Sequence, residues 1–232
     1  KPDGPTVLLT QENFEEVNFK LSLKPREIQI NNQDTSFLNP KITLKQHQVD
    51  GLKWLVSSYN MGLPGVLMAD DMGLGKTLQA LSFLALLKRE NIIKETKPTL
   101  IVAPVSLLKN WEDEHNKHLN DDGLGLLCKL FGNHLKEYKT VKSNDVKEGF
   151  ATLEIEKLFV FDWFLTTYET LRDYQTSFAE INFSCIIFDE IQKAKNPRSL
   201  LTHATKVINS EFSVGLTGTP VENSIADLWT IL

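Results

Sequence analysis

Short apolar runs alternate with longer stretches of helical spacing along this chain. Gly65-Val66-Leu67-Met68-Ala69 is the first run with the look of a buried strand. From Thr77 to about Glu90, Leu78, Leu81, Leu84 and Leu87 recur at near-helical intervals and predict a helix. Thr99-Leu100-Ile101-Val102-Ala103, closed by Pro104, predicts a second strand, and Leu107 to about Leu119 a second helix. Four more strands are expected at Leu126 to Phe131, Trp163 to Thr166, Cys185 to Phe188 and Ser213 to Thr217. These runs are nearly continuous rather than alternating, which marks strands covered on both faces. Such an order predicts an α/β fold with a mainly parallel, doubly wound sheet and helices on both faces.

Two regions fit this pattern less well. Residues 1–42 are polar and extended in character, with strand-like alternation at Asn18-Phe19-Lys20-Leu21-Ser22-Leu23, and read as the tail of an upstream domain or a clasp onto the sheet. Residues 132 to about 157 carry Lys136, Lys139, Lys142 and Lys147 and read as a surface excursion with a short helix. The chain opens on Lys1 rather than Met and reads as a piece of something longer. It has no secretory pattern and no apolar run of roughly 18 residues, so a membrane span is not expected. An intracellular location is expected instead: cytoplasmic and nucleoid-associated in a bacterium, nuclear in a eukaryote.

Composition narrows the classes. With 232 residues, 41% hydrophobic and 24% charged, the chain can bury a core without a metal or disulfide staple. Its two cysteines, Cys128 and Cys185, exclude a disulfide scaffold and a cysteine-built zinc site, and Cys185 reads as packing. A net charge of -5 argues against binding through bulk positive charge but leaves room for a local basic groove. His47, His115, His118, His134 and His203 show no paired metal spacing and read as surface or packing residues. Trp54 and Trp111 read as core.

The strongest chemical signal is Asp70-Asp71-Met72-Gly73-Leu74-Gly75-Lys76-Thr77, between a predicted strand and a predicted helix. In that context the segment has the makings of a phosphate-binding loop. Backbone N–H groups and the helix N-terminus face the anion, and Gly73 and Gly75 allow close approach. Lys76 would reach the β- and γ-phosphates of ATP, and Thr77 would place its hydroxyl on Mg²⁺. The first position of the usual pattern is Gly, and here it is Asp70. A second signal is Ile186-Ile187-Phe188-Asp189-Glu190, a buried strand ending in two carboxylates. Asp189 would hold Mg²⁺ and Glu190 would orient the attacking water.

Six blocks in order resemble the motifs of Swi/Snf-type ATPases of helicase superfamily two. Leu44-Lys45-Gln46-His47-Gln48, with Gly51 and Trp54-Leu55, is similar to the adenine-side motif. Ala69 to Thr77 resembles motif I, where Asp at the first loop position is normal, so Asp70 supports the likeness. Ala103-Pro104-Val105-Ser106 with Asn110-Trp111 and Glu114 resembles motif Ia, and Leu165-Thr166-Thr167-Tyr168-Glu169-Thr170-Leu171 motif Ib. Asp189-Glu190-Ile191-Gln192-Lys193-Ala194-Lys195-Asn196 resembles motif II, with Gln192 where His often stands. Leu216-Thr217-Gly218-Thr219-Pro220, followed by Glu222-Asn223, resembles motif III.

The resemblance implies a three-layer RecA-like lobe over residues 43–232, preceded by an extension over 1–42. It implies Mg-ATP held by Gln48, Asp70, Met72, Gly73, Leu74, Gly75, Lys76, Thr77 and Leu78, with Thr77 and Asp189 on the metal and Lys76, Asp189 and Glu190 catalytic. It implies translocation on double-stranded DNA, with remodelling of DNA-bound proteins. Ser106, Asn110, Thr166, Thr167, Lys195 and Arg198 are the candidates for phosphate contact. It also implies a second RecA-like lobe in cis that supplies arginine fingers, so this chain alone is expected to be nearly inactive as an ATP hydrolase. The competing readings are a single-strand helicase or restriction translocation subunit of the same superfamily, and a non-catalytic nucleotide-gated interaction module.

Overall fold

The computed structural model of the protein describes residues 24–28, 36–140, 152–194 and 207–218. Six parallel strands lie in the order β1-β6-β5-β2-β4-β3. They are β1 (Gly65–Met68), β2 (Thr99–Val102), β3 (Leu127–Leu130), β4 (Trp163–Thr166), β5 (Cys185–Asp189) and β6 (Ser213–Leu216). All six expected strands are present. The main helices are α1 (Gln46–Asn60), α2 (Lys76–Arg89) and α3 (Val105–His118). Two short helices, α4 (Tyr168–Asp173) and α5 (Gln175–Ala179), follow β4.

The strand period of two sorts the core into two halves. Ile101, Leu165, Cys185, Ile187 and Val214 face α1, α2 and α3. Their chain neighbours Leu100, Phe164, Ile186 and Phe188 face the other way, onto Tyr168, Leu171 and Phe178 of α4 and α5. A sheet covered on both faces follows, as the continuous apolar runs require. Helix α2 goes further than its leucine spacing predicts: every residue from Leu78 to Leu87 is buried. It is enclosed on all sides, between the sheet, α1 and α3.

Two readings of the less regular regions meet the structure in part. The alternation at residues 18–23 lies outside the described residues, but residues 24–28 do clasp the domain. Arg26 donates to the carbonyls of Tyr59 (3.3 Å), Leu63 (3.3 Å) and Glu211 (2.7 Å) and stacks on the Tyr59 ring. Ile28 exchanges two hydrogen bonds with the Asn60 side chain. Phe37 and Leu38 are buried, and Leu38 bridges to Leu119 just beyond α3. In the excursion after β3, the described parts hold two short 3-10 helices, His134–Tyr138 and Ile155–Leu158. A bridge between Lys139 and Leu153 closes its base, and Leu135, Leu153 and Leu158 anchor it. Among the described residues, no helix is long and apolar enough to cross a membrane.

Candidate functional site

The carboxyl ends of the strands carry the predicted chemistry. The loop between β1 and α2 turns on two glycines in the left-handed region, Gly73 (φ 86°) and Gly75 (φ 78°). A side chain is strained at both. At Gly75 it would also collide with Gln48, because a Cβ there would sit 2.4 Å from Nε2. The turn delivers the chain into α2, whose N-terminus has no side-chain cap and no acidic residue in its first turn. The amides that open an α-helix lack intrahelical acceptors. Here they lie directly after a glycine-built turn, a ready site for an anion. The ammonium of Lys76 donates to the carbonyls of Asp70 (2.6 Å) and Asp71 (2.9 Å), so the loop wraps its own lysine. Asp70, Met72 and Leu74 are exposed on the loop surface, Lys76 and Thr77 are half-buried, and Leu78 is buried.

Strand β5 ends beside this loop. Met68 pairs with Leu216 and Leu216 with Asp189, so one strand separates the loop strand from the carboxylates. That spacing is roughly 10 Å across the sheet. Asp189 is largely buried, and burial raises its carboxyl above the usual carboxylate range; the neighbouring Glu190 charge adds to the rise. A hydrogen bond from Trp111 and the positive charge of Lys76 act in the opposite direction. Trp111 donates from Nε1 to Asp189 Oδ2 at 2.9 Å, and the Tyr168 hydroxyl donates to the Asp189 carbonyl at 2.8 Å. Glu190 has a φ of 52°, a left-handed conformation that costs a non-glycine residue on the order of 1 kcal/mol. Its carboxylate accepts from the Gln192 amide.

Helix α1 backs the loop from the other side. Gln48 accepts from the Lys45 amide at 2.9 Å and closes the start of α1, with its own amide group against Gly75. His47 donates to the Leu74 carbonyl at 3.2 Å. Gly51 lets the Gln79 side chain of α2 cross α1 closely: a Cβ there would lie 1.8 Å from Gln79 Oε1. Behind β6, Thr217 donates its amide to the Met68 carbonyl, and a Cβ on Gly218 would meet Met72 at 2.8 Å. The segments carrying Gln48, Lys76, Asp189 and Thr217 therefore converge on one edge of the sheet.

The candidates for phosphate contact divide. Ser106 and Asn110 are exposed, one helical turn apart on α3. Thr166 is wholly buried and donates to the Leu130 carbonyl at 2.7 Å, so its hydroxyl is not presented to a ligand. The expectation for that side chain is corrected: the last residue of β4 points into the sheet layer. Thr167 is also buried and caps α4, accepting from the Thr170 amide at 3.0 Å. Lys195 and Arg198 lie outside the described residues.

A model of the SNF2-related domain matches residues 47–232. The chain belongs to the SNF2-related family. Over 203 residues it is 42% identical to the Zorya protein ZorD of Escherichia coli O139:H28, a match covering 84% of this chain and 18% of that protein. It is 35% identical over 192 residues to the chromatin-remodelling ATPase INO80 of Arabidopsis thaliana, covering 83% and 12% respectively. Among solved structures, the Sulfolobus solfataricus SWI2/SNF2 ATPase core in complex with dsDNA superposes with a TM-score of 0.64 at 34% identity. That match covers 82% of this chain and 35% of the Sulfolobus chain. This chain therefore spans less than a fifth of the length of these curated relatives. The sheet is that of a RecA-like α/β lobe, and the family is one of helicase-like, ATP-binding proteins.

Within this SNF2-related lobe, several partnerships were not legible in the sequence. Trp111 is core, as expected, but its N–H is spent on Asp189. Trp54 is not core: it stands 44% exposed on the outer face of α1, while Leu52, Leu55 and Val56 turn inward. Cys128 and Cys185 are both buried free thiols. His115 stacks on Trp163 and accepts from the Leu124 amide, and burial lowers its affinity for a proton. Among the described residues, no group of three or more His, Cys, Asp or Glu side chains could hold a metal ion unaided.

Proposed function

We propose that this chain is the nucleotide-binding lobe of an ATP-driven translocase that tracks along double-stranded DNA inside the cell. The observation that carries this reading is the loop at residues 70–77. Two left-handed glycines bring an uncapped helix N-terminus and the Lys76 ammonium to the sheet edge that also bears Asp189 and Glu190. The lobe spans residues 43–232, and residues 1–42 are an extension whose residues 24–28 hold onto it.

Each residue has a part in this reading. Lys76 exchanges two carbonyl acceptors for phosphate oxygens, a stronger charge-assisted bond. The opening amides of α2, at Lys76, Thr77 and Leu78, take further phosphate oxygens, and Gln48 lies beside the loop to meet the base. Thr77 and Asp189 are suited by their oxygen donors to Mg²⁺, which on binding supplies neutralisation of phosphate charge. Glu190 orients the attacking water. A second RecA-like lobe in cis completes the hydrolytic site, since charge on a transferring phosphoryl group is stabilised from both sides. Ser106 and Asn110 of α3, with the backbone at the start of α4, face the DNA phosphates; the dsDNA in the related Sulfolobus core supports this part. Such contacts track the backbone without reading sequence.

Calorimetry with ATP and Mg²⁺ tests the central claim. Lys76→Ala should weaken binding about tenfold or more, the scale of one lost charge-assisted bond. Circular dichroism should show the same fold in both chains. Equal affinity in variant and parent would remove the phosphate loop from the account.

A further inference from the structure

We propose that Trp111 and Tyr168 are positioning residues for Asp189, and that they tie the carboxylate to the two helices facing DNA. The inference rests on the nucleotide and DNA readings above and extends them to how the two sites communicate. Both side chains are buried, Trp111 completely and Tyr168 at 2% exposure. Both spend their only polar hydrogen on the same residue, the indole N–H on the carboxylate and the phenol O–H on the backbone carbonyl.

Satisfying a buried aromatic donor does not by itself require this arrangement. Trp163, buried just as deeply, donates to the backbone carbonyl of Gly125 at 3.2 Å. A neutral carbonyl is the inexpensive partner for a buried indole, whereas a buried carboxylate is costly to desolvate. Trp111 has the costly partner, and that partner is the residue suited to hold Mg²⁺. A group that fixes the orientation of a ligating carboxylate typically sets metal affinity by a factor of 10 to 100.

The placement in the chain gives the donors a second role. Trp111 directly follows Asn110, on a helix whose exposed face also carries Ser106. Tyr168 opens α4, directly after the capping Thr167. A helix moves as a unit, so a shift of α3 or α4 against a DNA phosphate changes the hold on Asp189 at both its carboxylate and its carbonyl. Two separate elements converge on one residue through discrete hydrogen bonds, which is the physical form that coupling between sites needs. In this scheme bound DNA sets how readily the nucleotide site takes its metal.

The test is a Mg²⁺ titration of the whole 232-residue chain with a fluorescent, non-hydrolysable ATP analogue, without and with saturating duplex DNA. Trp111→Phe keeps an aromatic ring and removes the N–H; Tyr168→Phe removes a single oxygen and guards against a folding defect in the larger change. Trp111→Phe should raise the Mg²⁺ midpoint about tenfold or more, and Tyr168→Phe should raise it by less. Analogue affinity in the absence of metal, and duplex affinity in the absence of analogue and Mg²⁺, should stay at the parent's values. In the parent, duplex should lower the Mg²⁺ midpoint, and in Trp111→Phe that shift should disappear. Unchanged midpoints in folded variants would overturn the inference while leaving the ATP reading intact. A duplex-induced shift of equal size in parent and variants would overturn the coupling. A parent that binds no analogue at any Mg²⁺ concentration would sink the ATP reading, and the inference with it.

Discussion

At the amino ends of the strands, polar groups are matched to one another within the protein. Arg26 serves three carbonyls, Lys88 pairs with Asp162 at 2.6 Å, and Lys97 pairs with Glu211. Asp162 uses its second oxygen to accept the Leu126 amide, and Thr99 donates to the Cys185 carbonyl. At the carboxyl ends of the same strands the terms reverse. A helix N-terminus goes uncapped, a lysine is held by the carbonyls of its own loop, and Glu190 sits in a strained conformation. A half-buried carboxylate accepts from a tryptophan there. One end is built to be stable as it stands. The other keeps an open helix N-terminus and a strained glutamate, as functional sites commonly do.

Mutations at the two ends should therefore separate activity from stability, and the largest effect belongs to the carboxyl end. Glu190→Gln, in a form of the protein extended through a second lobe, should slow ATP turnover at least about a hundredfold, the usual scale for a lost general base. Affinity for Mg-ATP should hold, because Glu190 acts on the water rather than on the bound nucleotide. The melting temperature should not fall, since no structural bond of the core depends on the Glu190 charge. Steady-state ATPase rates and thermal melting check both halves. Normal turnover would put the base elsewhere.

The amino end should respond in the opposite way. Arg26→Ala takes a donor from three carbonyls, of which that of Tyr59 keeps the Gly62 amide, and removes the stack on Tyr59. A loss of about 2–4 kcal/mol in unfolding free energy is expected. ATP affinity of the fraction that remains folded should equal the parent's. Urea unfolding and calorimetry measure the two quantities. A change in affinity with little change in stability would dissolve the division between the two ends.

The same division explains what the sequence disclosed. Strands buried on both faces, as β2, β4 and β5 are, leave continuous apolar runs, and all six strands were readable from apolar runs with the turn residues that close them. The turn between β1 and α2 was readable because its glycines occupy positions that a left-handed turn demands. Helix α1 was noticed as a motif but not as a helix, since its buried residues share the segment with the outward Trp54 and Met61. The Arg26 clasp spans 185 positions to reach Glu211, and no local pattern records such a pairing. At Thr166 and Trp111 the part left unread has a common cause. Sequence shows that a hydroxyl or an indole is present, but not which way the donor points. At Thr166 it points into the sheet; at Trp111 it points to the site.

The smallest effect offers the sharpest comparison, because the same chemical change should have opposite signs at the two ends. Asp162→Asn weakens the ion pair with Lys88 and should destabilise the chain near neutral pH by about 1–3 kcal/mol. Asp189→Asn removes a charge that burial disfavours. Its folded carboxyl is raised above the unfolded value of about 3.9. Between the two values the folded chain holds the proton more tightly than the unfolded chain, so stability falls as pH rises through that window and then levels off. Asparagine cannot ionise and escapes this loss, yet its amide oxygen can still accept from Trp111. Without nucleotide or Mg²⁺, Asp189→Asn should thus melt above the parent at pH 8, and the gap should close as pH falls towards 4. Melting curves of parent and both variants across that range decide the matter. A deficit for Asp189→Asn at pH 8 would mean that the buried carboxylate holds the fold together, and that the carboxyl ends of the strands are not set apart for a ligand in the way argued above.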